Sequence, residues 1–243
     1  IIIPPSIPMI IYGLVTETSV TDLFAAGFGP GLLITIVFAA YSIWFNWNLP
    51  RERFDLEHFK IAFGRGIWSL MMPVILLGGI YSGYFTATEA AAVALCYALL
   101  VEVFVHRELK LGDFYNVVLE TSKLGGSLFP VLAIALSLNI ILTEQGVPQA
   151  LVGWMQGYIS SPLMFMLVVN ILLLIVGCLM TTGEAILVLA PLLAPVAAAY
   201  GYAKILFALI MILNLEIGYL TPPVGLNLIV AMSAFKQNFG VLC

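Results

Sequence analysis

The chain has 243 residues, 62% of them hydrophobic and only 9% charged, with a net charge of −4, where a soluble domain averages about 45–50% apolar and about 25% charged. That balance excludes an ordinary water-soluble domain, and nine basic residues without a basic stripe exclude a nucleic-acid surface. Cys96, Cys178 and Cys243 sit in apolar surroundings with no CxxC spacing, which excludes a disulfide framework and a zinc site.

A bilayer-spanning helix takes about 20 mostly apolar residues. Apolar segments are predicted at 6–19, 28–47, 66–85, 89–105, 124–142, 163–178, 185–199, 203–220 and 225–235. The first follows "IIIPPSIPMIIYG", in which two adjacent prolines interrupt apolar sequence. The connection 16–27 carries no basic residue, whereas 48–65 carries Arg51, Arg53, Lys60 and Arg65. At the start of 89–105, Thr86 or Thr88 is expected to cap a helix with Glu89 in its first turn. The connection 107–123 has Arg107, Lys110 and Lys123 and an amphipathic pattern, with Leu109, Phe114 and Val117 on one side. It is expected to lie along the cytoplasmic interface. The stretch 143–162 has no basic residue, and within it 148–160 reads as an interfacial helix with Trp154 and Tyr158 at headgroup level. By the positive-inside rule, 48–65 and 106–123 face the cytoplasm and 16–27 and 143–162 face out.

Segments 163–178 and 185–199 are separated only by "MTTGE", residues 180–184. That spacing leaves no room to cross the headgroups and predicts a re-entrant hairpin, whose non-helical tip must be satisfied by protein or a water-filled cavity. The final segment, 203–235, is interrupted by "GYLTPP". On the predicted threading the two Pro-Pro breaks are met in opposite directions. Paired breaks in two oppositely oriented halves point to the midplane site of a secondary transporter.

Proline lacks an N–H and frees the carbonyl one turn earlier, so oxygens near Gly218 and Thr221 are expected to lack helical partners and to suit a hard cation. The half-helix after a break offers free N–H groups to a carboxylate. Glu184, by the hairpin tip, and Glu216, before the second break, are candidate intramembrane acids. Glu216 is open to binding a cation or proton, to facing a polar interface, or to pairing with Lys204. His58 and His106 fall in charged stretches and are expected to be solvated. No nucleophile elbow, phosphate loop or metal motif is present, so no catalytic residues and no enzyme activity are expected. A channel would use the same carbonyls but needs a ring of equivalent subunits.

The motifs "IIIPPSIPMIIYG", "FAAGFGPGLL", "GGIYSGYFTATEAAAVA" and "IGYLTPPVGLNLIV", in this order, resemble the large membrane subunit of tripartite ATP-independent periplasmic (TRAP) transporters. The resemblance implies an all-α polytopic membrane protein of inverted-repeat, elevator type, with a re-entrant hairpin and broken helices. It implies residues 1–27 as the end of the first repeat, 28–123 as scaffold helices with a cytoplasmic arm, and 124–243 as the second repeat, with hairpin 163–200 and broken helix 203–235. A sodium site of the second-repeat type would use Gly177, Gly218, Thr221 and Val224. The first-repeat site would retain Ile3 and Ser6, and its hairpin is expected to lie outside this chain, read as an N-terminally truncated piece. Hairpin tip and substrate contacts would fall on Thr181, Thr182, Gly183, Pro222, Pro223 and Asn227. The implied activity is sodium-coupled import of an organic acid, a C4-dicarboxylate or sugar acid, across the bacterial inner membrane. Its partners would be a small membrane subunit and a periplasmic binding protein, with sodium as coupling ion and no other cofactor. Divalent anion–sodium symporters share the hairpin logic, but their Ser-Asn-Thr signature is not found.

Overall fold

The computed structural model describes residues 1–48 and 55–222, together with Asn227, Met232, Ala234 and Lys236. The described residues are helical throughout their ordered elements: α1 (Ile7–Thr16), α2 (Val20–Phe45), α3 (Leu56–Tyr81), α4 (Ala87–Leu100), α5 (Leu111–Glu144), α6 (Val147–Tyr158), α7 (Pro162–Leu179), α8 (Thr182–Ala199) and α9 (Lys204–Tyr219). Six helical stretches among them are long and apolar enough to cross a membrane. The protein is an all-α, multi-pass membrane protein. Two compact units divide the chain, Ile1–Phe28 with Leu128–Cys243 and Gly29–Ser127.

Caps set the boundaries, and they move several of them away from the sequence expectation. Ser19 accepts the Asp22 N–H at 3.3 Å, so α2 begins at Val20 and the expected connection 16–27 shrinks to a few residues. Asp55 caps α3 through the Glu57 and His58 N–H groups, so that helix starts ten residues before the predicted apolar segment. The predicted cap at Thr86 is present as a reciprocal box with Glu89, and α4 continues as a π-helix over Val101–His106. Most of the stretch 107–123 is helical, as the opening of α5, which runs unbroken from Leu111 to Glu144; Gly125 and Gly126 lower helix propensity without ending it. His58 is solvated, as expected, with its side chain exposed beside Asp55 at 2.8 Å, and His106 is half-buried beside Glu102 at 3.2 Å.

Single prolines do not end helices here. Pro30, Pro73, Pro130, Pro191 and Pro195 all lie inside them. Pro4, Pro5 and Pro222, by contrast, lie at helix boundaries. Residues 1–6 are non-helical and Ser6 caps α1, while α9 ends at Tyr219, just before Thr221 and Pro222.

In the unit Gly29–Ser127, α3 and α4 form a hairpin through Gly83, whose φ of 77° lies in the left-handed region open to glycine. The Tyr97 hydroxyl donates to the Trp68 carbonyl at 2.7 Å and ties the two helices together. Many large apolar side chains of this unit face outward, Leu32, Leu33 and Ile36 among them, as suits helices whose solvent is lipid.

In the other unit, α7 packs chiefly on α9, and α8 on α1, α9 and α6. The buried residues of α7 are Phe165, Val169, Leu173 and Gly177, one every fourth position and therefore one stripe. The buried face of α8 is rich in alanine, with Ala185, Ala190, Ala194 and Ala197, which lets neighbouring backbones approach. Phe165 stacks on Tyr200 at 4.4 Å, and the Tyr200 hydroxyl donates to Ile159 O at 2.6 Å, closing the end of this layer remote from the α7–α8 link.

Candidate functional site: the hairpin tip and the end of α9

The link between α7 and α8 is shorter than the predicted tip. Only Met180 and Thr181 are non-helical, because Thr181 caps α8: its hydroxyl accepts the Glu184 N–H at 3.4 Å, and Glu184 Oε2 accepts the Thr181 N–H at 3.2 Å. Glu184, a candidate intramembrane acid by sequence, is therefore committed to a capping box. This box also removes the Thr181 N–H from the reach of α7, leaving the Gly177 carbonyl without its α-helical donor. The N–H groups of Thr182 and Gly183 open α8 with no intrahelical acceptor.

The α8 side of the tip is covered by protein, while Met180 on its α7 side is exposed. Thr182 is buried, and the Ile11 side chain of α1 lies against Gly183. The Thr182 hydroxyl donates to Glu216 Oε2 at 3.3 Å. The other oxygen, Oε1, accepts the Asn227 amide at 3.1 Å. One carboxylate thus joins the start of α8, the end of α9 and a residue beyond the double proline. Lys204 stands at the opposite end of α9, and among the described residues no ion pair involves Glu216.

Gly177 and Gly218 bring α7 and α9 together backbone to backbone. A Cβ on Gly177 would meet Leu215 O at 2.5 Å, and one on Gly218 would meet Leu174 O at 2.6 Å and Gly177 Cα at 2.8 Å. Farther along the same seam, Asn214 Nδ2 donates to Asn170 Oδ1 at 2.6 Å. This pair was not singled out from sequence, although two asparagines inside apolar segments were its visible signal.

The end of α9 is less open than the sequence suggests. Gly218 O accepts the Thr221 N–H at 2.8 Å, so it is partnered and keeps one lone pair. The Thr221 hydroxyl donates to Ile217 O at 2.7 Å. Ser6 is buried, and both its groups serve α1: the hydroxyl accepts the Met9 N–H at 3.4 Å and the carbonyl the Ile10 N–H at 3.2 Å. Ile3 is exposed. Gly177, Gly218, Thr181, Thr182, Gly183, Thr221 and Asn227 are thus assembled around α7, α8 and the end of α9, while Ile3 and Ser6 lie at the start of α1. Pro222 follows the end of α9 and is exposed. Val224, Pro223, Arg51 and Arg53 fall outside the described residues.

The family description "Tripartite ATP-independent periplasmic transporter, DctM component" matches residues 1–242. The chain belongs to this family. Over 243 residues it is 44% identical to the C4-dicarboxylate TRAP transporter large permease protein DctM of Pseudomonas aeruginosa, covering 99% of this chain and 57% of that protein. It is 40% identical over 235 residues to the isethionate TRAP transporter permease protein DctMQ of Oleidesulfovibrio alaskensis, covering 95% of this chain and 37% of that one. To the ectoine/5-hydroxyectoine TRAP transporter large permease protein UehC of Ruegeria pomeroyi it is 36% identical over 242 residues, covering 98% and 56%. The chain therefore spans little more than half the length of the DctM and UehC relatives, and about a third of the DctMQ protein.

Proposed function

We propose that the chain forms the ion- and substrate-handling part of a large permease subunit in a sodium-coupled secondary transporter of the bacterial inner membrane. The observation that carries this reading is the apposition of the α7–α8 tip to the end of α9, joined through Glu216. Sodium is a hard cation and takes oxygen ligands. The Gly177 carbonyl, the remaining lone pair of Gly218 and the Thr221 carbonyl supply such oxygens, with Val224 as the fourth ligand. Ile3 and Ser6 belong to a second sodium site at the start of α1.

The substrate is an organic acid, a C4-dicarboxylate or a sugar acid. Its carboxylate is received by the N-terminus of α8 at Thr181, Thr182 and Gly183, where the free N–H groups of Thr182 and Gly183 and the helix dipole favour an anion, and by Pro222, Pro223 and Asn227 across the break. Support for the substrate class comes from relatives named for C4-dicarboxylate and for 2,3-diketo-L-gulonate. A periplasmic binding protein delivers the substrate, and a small membrane subunit completes the complex, as the tripartite family description suggests.

The test is uptake into vesicles holding the complete complex and a substrate-loaded binding protein. An inward sodium gradient is expected to drive uptake of a C4-dicarboxylate or sugar acid, and a choline gradient of equal size to fail. Uptake indifferent to sodium would overturn the reading.

A further inference from the structure

Glu216 is assigned to neither ion nor substrate in the proposed function, yet three segments meet at it. Its Oε2 accepts the hydroxyl of the buried Thr182 at 3.3 Å, and its Oε1 accepts the Asn227 amide at 3.1 Å. A carboxylate can only accept hydrogen bonds, whereas a threonine hydroxyl and an asparagine amide can each donate or accept. Facing Glu216, both partners must donate. What they offer to anything else at the tip is then fixed: the Thr182 oxygen lone pairs, and the Asn227 Oδ1 together with the second N–H of its amide.

We propose that Glu216 is a positioning residue that locks the hairpin tip to Asn227, beyond the double proline, and fixes which way the Thr182 hydroxyl and the Asn227 amide face the ligand. This rests on the reading of the tip as an ion and substrate site and adds what orders it. Charge-assisted bonds are about twice as strong as neutral ones, so one carboxylate holding two segments is an economical lock. Such a lock must open whenever the tip moves away from the end of α9. A residue that merely fills a polar gap would tolerate glutamine, which has the same shape. The lock would not, because glutamine brings one acceptor and one donor and forces one partner to turn round. Exchanging the two groups, Glu216→Gln with Asn227→Asp, restores a donor facing an acceptor at every contact and keeps the net charge.

The experiment uses the complete complex in membranes, with Cys96, Cys178 and Cys243 changed to serine and Met180→Cys as reporter, since Met180 is exposed beside the tip. Alkylation by a water-soluble maleimide is followed in sodium-free choline medium. Thr182→Val and Glu216→Gln, both close in shape to the residues they replace, are each expected to raise the rate about fivefold or more, as expected for loss of a charge-assisted bond. The paired exchange is expected to return it to within about twofold of the unsubstituted protein, its bonds being restored. An unchanged rate in either single variant, or no recovery in the paired exchange, would overturn the proposal. The sodium reading is judged separately by adding sodium to the unsubstituted reporter. Protection by sodium supports that reading, and its absence counts against the ion site while leaving the sodium-free series to decide the lock.

Discussion

Gly177→Ala isolates the close approach of α7 and α9. The added Cβ would stand 2.5 Å from Leu215 O and 3.0 Å from Leu215 Cα, against 3.4 Å or more for ordinary contact. Both are backbone atoms, so no rotamer relieves the overlap and the helices must part by roughly 0.9 Å at that point. A gap of that order forfeits about a quarter to a half of each dispersion contact along the seam. The Asn170–Asn214 bond, 2.6 Å long, would be stretched towards the limit of a hydrogen bond. Overpacking of this kind costs about 1–3 kcal/mol and a weakened hydrogen bond about 0.5–1.5 kcal/mol. The expected sum, about 3 kcal/mol, corresponds to a fall in Tm of roughly 6–12 °C at about 2–4 °C per kcal/mol. Thermal unfolding of the purified complex in detergent reads it. The control is Gly153→Ala in α6, where a Cβ meets nothing within 4 Å, so only helix propensity acts, stabilising by about 1 kcal/mol. Equal shifts for the two variants, or no fall for Gly177→Ala, would refute the packing argument.

Thr181→Ala removes the hydroxyl that accepts the Glu184 N–H and is expected to lower stability by about 1 kcal/mol, with faster amide exchange confined to the first turn of α8. Ser19→Cys and Glu57→Cys are expected to react with impermeant reagents from opposite sides of the membrane; labelling of both from one side would contradict the threading derived from the basic residues. Asp55 is held below the ordinary aspartate range, first by the His58 side chain and then by the N–H groups of Glu57 and His58. A depressed folded pKa contributes stability that is present above the unfolded pKa and lost as pH falls through the folded value. Protection of the Glu57 and His58 amides, corrected for intrinsic rate, should therefore persist through the usual carboxylate range and vanish only below it. Loss at higher pH would contradict the cap.

The hairpin was legible because two apolar segments with only five residues between them admit few arrangements. The cap at Thr86 was legible because Thr and Glu three apart form a local motif. Boundaries were less so. Val20, Leu56 and Thr182 each begin a helix earlier than hydropathy suggests, because Ser19, Asp55 and Thr181 supply caps that an apolar window does not register. The union of 107–123 with the next apolar segment was hidden by a change from amphipathic to apolar pattern within one continuous helix. Both histidines also have acidic partners within one turn, a spacing at which side chains on a helix meet. For Glu216 the sequence left several partners open. Its bonds to Thr182 and Asn227 follow only from the packing of α8 on α9, and the contact of Gly177 with Gly218 likewise needs two helices brought together in space. The doubled prolines marked where helices stop, but not that Thr221 would turn back to bond Gly218.

The central claim is that the end of α9 stops where it does to leave oxygens for sodium. Replacing Pro222 and Pro223 together by alanine restores two N–H donors and relieves about 3 kcal/mol of helix penalty per proline, so α9 can extend across the break while the protein still inserts. Sodium titration of substrate uptake by the complete complex is the direct measurement. The account predicts that the double variant needs much higher sodium, while Thr221→Ala, which removes a hydroxyl and keeps the carbonyl, changes the titration far less. A double variant with the sodium titration of the unsubstituted complex would contradict it.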